Sequence, residues 1–324
     1  MEGGSFAIAT GGLAACASQK ASDGGVLTAS EAQGRMNAHT FRAERRLIET
    51  PFAKIAYVER GRGDAALFLH GYPLNGFQWR GAIERLSPYR RCIAADFMGL
   101  GYTLTPPEQD LSPQSQTDML VAFLDALSIG AVDIVANDSG GTIAQLFVVQ
   151  HPERVRTLLL TDCDVDENSP PAGLRPFIET AKSGRAADEW LAPQLADKSV
   201  ARSDKGLGGL AYTHPADFTD EAIEYYFSPL LSSALRKAQF SRYAVSFDPN
   251  PLIAIESALK RSPAPARIIW GTNDFLFDVS WAKWLDKTLP NSRGVRFVEG
   301  AKLFFPEEMP NLIAAEARNL WGVS

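Results

Sequence analysis

From residue 46 onward, short apolar runs alternate with stretches in which apolar residues recur every three or four positions. Residues 65–69 form one run, ending at His70-Gly71, and 91–96 form a second, stopped by Met98-Gly99-Leu100-Gly101. Further runs occupy 132–136, 155–161, 267–270 and 294–298. Runs this short, mostly apolar and bounded by turn residues, predict strands buried on both faces. Between 116 and 127, Met119, Leu120, Phe123, Leu124 and Leu127 trace one stripe at helical spacing, which predicts a helix. Strands alternating with helices predict an α/β architecture, a mostly parallel central sheet with helices on both faces.

The alternation stops between about 165 and 262, a Pro-punctuated stretch rich in aromatics. It opens after one predicted strand and closes before the next. We therefore expect a helical cap at 165–262, inserted at the carboxyl edge of a sheet core built from 46–164 and 263–324. Ligands of open α/β sheets bind at that edge. Residues 1–45 read differently. A short apolar stretch leads to Leu13-Ala14-Ala15-Cys16, which resembles the end of a bacterial lipoprotein signal, yet no basic residues precede it. Two expectations stand: an exported or lipid-anchored protein, or a cytoplasmic one with a disordered Ala/Gly-rich start. Residues 21–45, polar and poor in aromatics, read as a tether.

Composition narrows the partners. Hydrophobic residues make up 45% of the 324 and charged residues 22%, enough apolar content to exclude a wholly disordered chain. A net charge of −6 leaves no basic footprint for nucleic acid. No run of 18 apolar residues is present, so no transmembrane segment is expected. Three cysteines cannot build a disulfide framework and lack metal-ligand spacing. No metal and no cofactor are expected, only a small-molecule substrate bound by a monomer or homodimer. The four histidines are His39, His70, His151 and His214, so imidazole chemistry has few candidates.

The stretch Val135-Ala136-Asn137-Asp138-Ser139-Gly140-Gly141-Thr142 follows a predicted strand and opens a helix. A sharp strand-to-helix turn that exposes a nucleophile requires small residues two before and two after it. Ala136 and Gly140 meet that requirement with Asp138 at the centre. Centring on Ser139 would put Asn137 where a small residue belongs, so Asp138 is the favoured register and Ser139 the alternative.

With this turn, His70-Gly71-Tyr72-Pro73, Asp96-Phe97-Met98-Gly99-Leu100-Gly101, His151-Pro152-Glu153-Arg154-Val155 and Trp270-Gly271-Thr272-Asn273-Asp274 stand in order along the chain. From about 50 to 324 the sequence resembles the α/β-hydrolase fold, in particular the aspartate-nucleophile branch of haloalkane dehalogenases and epoxide hydrolases. The resemblance implies that Asp138 attacks an electrophilic carbon to form an ester, which water then hydrolyses. It implies an oxyanion hole from the N–H groups of Tyr72 and Ser139, and a base-orienting acid at Asp274 or Asp162.

The sequence also departs from the family. Where the branch carries its catalytic His, before a Pro-Glu-Glu run, this chain has Leu303, which cannot accept a proton. Of the remaining histidines, only His214 falls in the expected cap. Ser139 and Tyr72 stand where the dehalogenases usually place halide-binding Trp and Asn, leaving Trp79 as a possible donor. Epoxide hydrolases use cap tyrosines to protonate the opening ring, and Tyr212, Tyr225, Tyr226 and Tyr243 are the candidates. The expected pocket therefore draws on Trp79, His214, Tyr225, Tyr226, Tyr243 and Leu303. Three functions remain open: a hydrolase with an atypical or impaired water-activating step, a lyase-like enzyme using Asp138, and a non-catalytic small-ligand binder.

Overall fold

Eight strands form one sheet in the computed structural model, which describes residues 36–324; the stretch ending at Cys16 lies outside them. The strands are β1 (Arg46–Glu49), β2 (Lys54–Arg60), β3 (Ala65–Leu69), β4 (Arg91–Ala95), β5 (Val132–Asp138), β6 (Val155–Cys163), β7 (Ala266–Gly271) and β8 (Ser292–Val298). Their order is β1-β2-β4-β3-β5-β6-β7-β8. Only β1 with β2 and β2 with β4 pair antiparallel; the other neighbours are parallel. Strands β3 to β8 coincide with the six apolar runs. The first two were not legible, because Arg46, Glu49, Lys54, Glu59 and Arg60 give this sheet margin a polar, partly exposed composition.

The helices of seven residues or more are α1 (Ala38–Glu44), α2 (Arg80–Leu86), α3 (Pro113–Ala126), α4 (Ser139–Gln150), α5 (Arg175–Lys182), α6 (Asp220–Leu231), α7 (Ala234–Val245), α8 (Val279–Thr288) and α9 (Pro310–Trp321). The stripe at 116–127 lies in α3, which begins at the Ser112 cap with Pro113 in its first turn. The tether expected up to residue 45 is corrected here. Residues 38–44 form α1, capped by Asn37, whose side chain accepts from the Thr40 N–H. One apolar residue ties it down: Phe41 is buried edge-on against Phe77 and Tyr225.

Every position of β3 and β5 is buried. The one early charge in β5, Asp133, survives there because it is fully partnered. Arg90 Nε donates to it at 2.9 Å, Arg156 at 3.1 Å and the Thr157 hydroxyl at 2.9 Å.

Between β6 and β7 the chain contributes helices and turns but no strand of the sheet. This insertion is bound to the sheet-bearing part by polar groups. Arg80 pairs with Glu307, which also accepts from the hydroxyls of Tyr212 at 2.8 Å and Tyr226 at 3.0 Å. From α7, Arg236 donates to the Gly101 carbonyl at 2.7 Å and Gln239 to that of Thr105 at 3.0 Å.

Candidate active site

Asp138 ends β5 in the middle of the sheet with φ 53° and ψ −132°, and α4 starts at the next residue. A positive φ is strained for a residue with a Cβ and persists only where the surroundings enforce it. Here they do so by close packing. A Cβ on Gly140 would stand 2.6 Å from the Leu69 carbonyl oxygen and 2.7 Å from that of His70; one on Gly71 would stand 2.7 Å from Asp138 Cβ. The small residues therefore let β3, its following turn and the elbow meet. The Tyr72 N–H, in that turn, donates to Asp138 Oδ1 at 2.8 Å.

A buried amide chain fixes this turn to the elbow. Gln78 accepts from the Gly71 N–H at 2.9 Å and donates to Asn137 Oδ1 at 2.7 Å. Asn137 Nδ2 in turn donates to the carbonyls of Asp162 and Leu303, both at 3.1 Å. The loop carrying Leu303 is thus registered to the residue before Asp138.

Asp138, Ser139, Tyr72, Tyr243 and Leu303 line one cavity of about 170 Å³, closed by residues of the insertion such as Phe177, Trp190 and Leu207. Among the described residues, no Lys, Arg or His lines it. Burial pushes the Asp138 carboxyl up from the ordinary aspartate range, while the N–H groups of Ser139 and Tyr72 pull it part of the way back. The Tyr243 ring stacks on that of Tyr72 with centroids 5.6 Å apart, and its hydroxyl donates to Ser139 Oγ at 3.3 Å. A second carboxyl, Asp164, lines the same cavity and is pushed up to about 7, by burial first and by the nearby Asp138 charge second. Sequence reasoning missed it, because nothing in the pattern separates it from Asp162 two residues earlier.

Asp162 and Asp274 lie together, outside the cavity lining. Asp162 Oδ1 accepts from the Gly271 N–H at 2.8 Å, and Asp274 Oδ1 from the N–H groups of Leu276 at 2.7 Å and Phe277 at 3.2 Å. Their Oδ2 atoms have no other donor, and the two carboxyls face each other at hydrogen-bonding range. Burial first and the Asp274 charge second push the Asp162 carboxyl well above the ordinary aspartate range.

Four of the expected pocket residues lie elsewhere. Trp79 is fully buried against Phe68 of β3. Tyr225 packs on Phe77 and accepts from Arg45 at 2.6 Å, while Tyr226 is committed to Glu307. His214 is exposed, held by its backbone N–H on Glu308 at 2.8 Å. Their types fitted a pocket, but the fold buries Trp79, Tyr225 and Tyr226 against partners elsewhere in the chain and leaves His214 on the surface. Of the other histidines, His70 is buried with both ring nitrogens engaged, Nδ1 with the Gly71 carbonyl and Nε2 with the Phe97 N–H. Burial lowers it to about 4.

Comparison with known proteins places this geometry. The alpha/beta hydrolase fold family model matches residues 65–308. A haloalkane dehalogenase of Agrobacterium fabrum is 25% identical over 287 residues, covering 81% of this chain and 86% of that protein. Epoxide hydrolase 1 of Caenorhabditis elegans is 25% identical over 288 residues, 83% of this chain and 68% of its own. A cis-3-alkyl-4-alkyloxetan-2-one decarboxylase of Xanthomonas campestris is 25% identical over 271 residues, 78% and 87% respectively. With three quarters of its length matched by the family model, and with its strand order and central elbow, the chain belongs to the α/β-hydrolase fold family.

Proposed function

We propose that this protein is a hydrolase that opens a small apolar electrophile, of the epoxide or haloalkane kind, through covalent catalysis by Asp138. One observation carries the reading: a carboxyl on a strained elbow, anchored through Oδ1 by the Tyr72 N–H, lines an apolar cavity without a neutralising cation. A carboxylate needs no base to attack carbon, and desolvation makes it a better nucleophile than it is in water. In the ester that results, the N–H groups of Tyr72 and Ser139 are placed for the oxyanion that forms when water adds. The helical insertion 165–262 serves as the cap that keeps bulk water out, over a core of 46–164 and 263–324. Leu303 sits where an imidazole would activate that water, so hydrolysis runs through another group or runs slowly. Asp162 and Asp274 remain as the acids that would have oriented the imidazole.

The absence of an imidazole from the cavity also favours a second reading, a lyase-like step. The Xanthomonas relative is named for decarboxylating a four-membered cyclic ester. Loss of carbon dioxide from such a ring consumes no water and needs no hydrolytic base.

The test combines turnover with intact-protein mass after exposure to styrene oxide and 1-bromohexane. Wild type is expected to release diol and bromide or to gain the mass of the alkyl ester, and Asp138→Asn to do neither. Retained activity in Asp138→Asn, with loss in Ser139→Ala, would move the nucleophile to Ser139 and overturn the proposal.

A further inference from the structure

We infer that Asp164 is a second catalytic carboxyl of this site, protonating the leaving oxygen as Asp138 attacks and then deprotonating the water that hydrolyses the ester. This rests on the Asp138 reading and narrows its substrate class to strained ring ethers such as epoxides.

The argument starts from position. Asp138 pairs in register with Cys163 on the neighbouring strand, so Asp164, the first residue past β6, lies diagonally beside it at the same sheet edge. Both line the one cavity, and Asp164 is 4% exposed. Its backbone carbonyl accepts from Gln145 Nε2 at 2.8 Å, which fixes the residue against α4. The two carboxyls differ in what surrounds them. Asp138 has two backbone N–H donors, from Ser139 and Tyr72, together with the Ser139 hydroxyl, whereas Asp164 has beside it its own backbone N–H and the hydroxyls of Thr142 and Ser169, neither hydroxyl in a well-aligned hydrogen bond. The other titratable groups facing Asp164 are Cys163 on its own strand and Tyr243 from α7, and neither brings a positive charge.

Two carboxyls in one cavity lined mostly by apolar residues do not both ionise readily. The N–H donors favour the anion at Asp138, so the proton stays on Asp164. Environments that split two acids in this way assign the roles of anion and proton donor. Burial and the Asp138 charge raise Asp164 to about 7, so it holds its proton in mild acid and loses it as pH rises through neutrality.

The chemistry balances with these groups alone. Asp138 forms a bond to a ring carbon, the carbon–oxygen bond breaks, and the Asp164 proton passes to the departing oxygen. Asp164, now a carboxylate, takes a proton from water as its oxygen adds to the ester carbonyl carbon. Collapse of the tetrahedral intermediate expels the diol oxygen, which takes the proton left on the Asp138 carboxyl. Asp138 is again the anion and Asp164 again the acid. A halide leaves without a proton, so the first of Asp164's two roles is idle on a haloalkane.

That difference supplies the test. In wild type, kcat/KM for styrene oxide should fall as pH rises through about 7, while alkylation by 1-bromohexane should not. In Asp164→Asn, styrene oxide turnover should drop by ~10²-fold or more. The same variant should still be alkylated by 1-bromohexane at Asp138 and should accumulate the ester by intact mass. Absence of the alkaline limb in wild type, a result that needs no folded variant, would overturn the proposal. Wild-type styrene oxide turnover in Asp164→Asn would overturn it too. If Asp138→Asn also turns over styrene oxide, the Asp138 reading fails instead.

Discussion

Among single residues, Leu303 tests the proposed mechanism most directly. Its backbone is tied to the elbow through Asn137, and its side chain lines the cavity with Asp138. The Oδ2 atoms of Asp162 and Asp274 have no donor other than each other, and under the proposed mechanism they are the acceptors for an imidazole introduced at 303. Leu303→His should therefore engage the acid pair and present its second nitrogen to water at the ester. General-base assistance is typically worth ~10²–10⁴-fold, and Asp164 already supplies part of it under the mechanism above. We expect bromide release from 1-bromohexane to rise by about tenfold or more under multiple-turnover conditions. An unchanged rate, in a variant that melts like wild type, would show that the cavity cannot use a base at 303.

At the scale of elements, the site depends on how closely β3 and β5 end beside each other. Gly140 is the position at which this is most sharply tested, because the atoms a Cβ would meet are backbone carbonyls that cannot rotate away. Gly140→Ala must push the turn carrying Tyr72 off the elbow. Overpacking of this kind typically costs 1–3 kcal/mol. Urea denaturation should show a loss on the order of 3 kcal/mol, accompanied by loss of activity, since the Tyr72 N–H would no longer reach Asp138. A fully active Gly140→Ala variant would show that the elbow has slack the geometry denies.

Across the whole molecule, several buried carboxyls share one direction of shift. Asp96, Asp138, Asp162, Asp164 and Asp274 are all raised by burial, Asp274 to about 6 and Asp164 to about 7. A carboxyl raised on folding contributes stability that is complete below its unfolded value and is lost as pH rises through the folded one. His70, lowered to about 4, works the other way and loses its contribution as pH falls below about 6.5. The two trends oppose each other in mild acid, but above pH ~6.5 His70 no longer offsets the carboxyls. Stability should therefore fall between pH 6.5 and 8, by about 1 kcal/mol from Asp164 alone. A few degrees in Tm is the expected readout, with a smaller drop in Asp164→Asn. A flat or rising Tm over that window would contradict the burial of these charges.

The sequence by itself determined the core of the fold and the strand-to-helix elbow at Asp138. Strands β3 to β7 were legible because parallel strands covered on both faces are apolar along most of their length, β8 at the exposed margin because Val295, Phe297 and Val298 still mark it, and the elbow because the sharp turn needs small residues, as the close packing at Gly140 shows. Strands β1 and β2 stayed hidden because a half-exposed margin carries charges like any loop, and α1 because a single buried Phe41 leaves no periodic trace. Which side chains meet in the cavity was decided only by tertiary structure. Tyr225 and Tyr226 read as well as Tyr243 for a pocket, yet neighbours far apart in the chain engage two of them and leave one facing the cavity. Asp164 is the clearest case. Its chemistry depends on the carboxyl one strand away and on the absence of a cation, and both are properties of a place that thirty or a hundred residues of chain must fold to create.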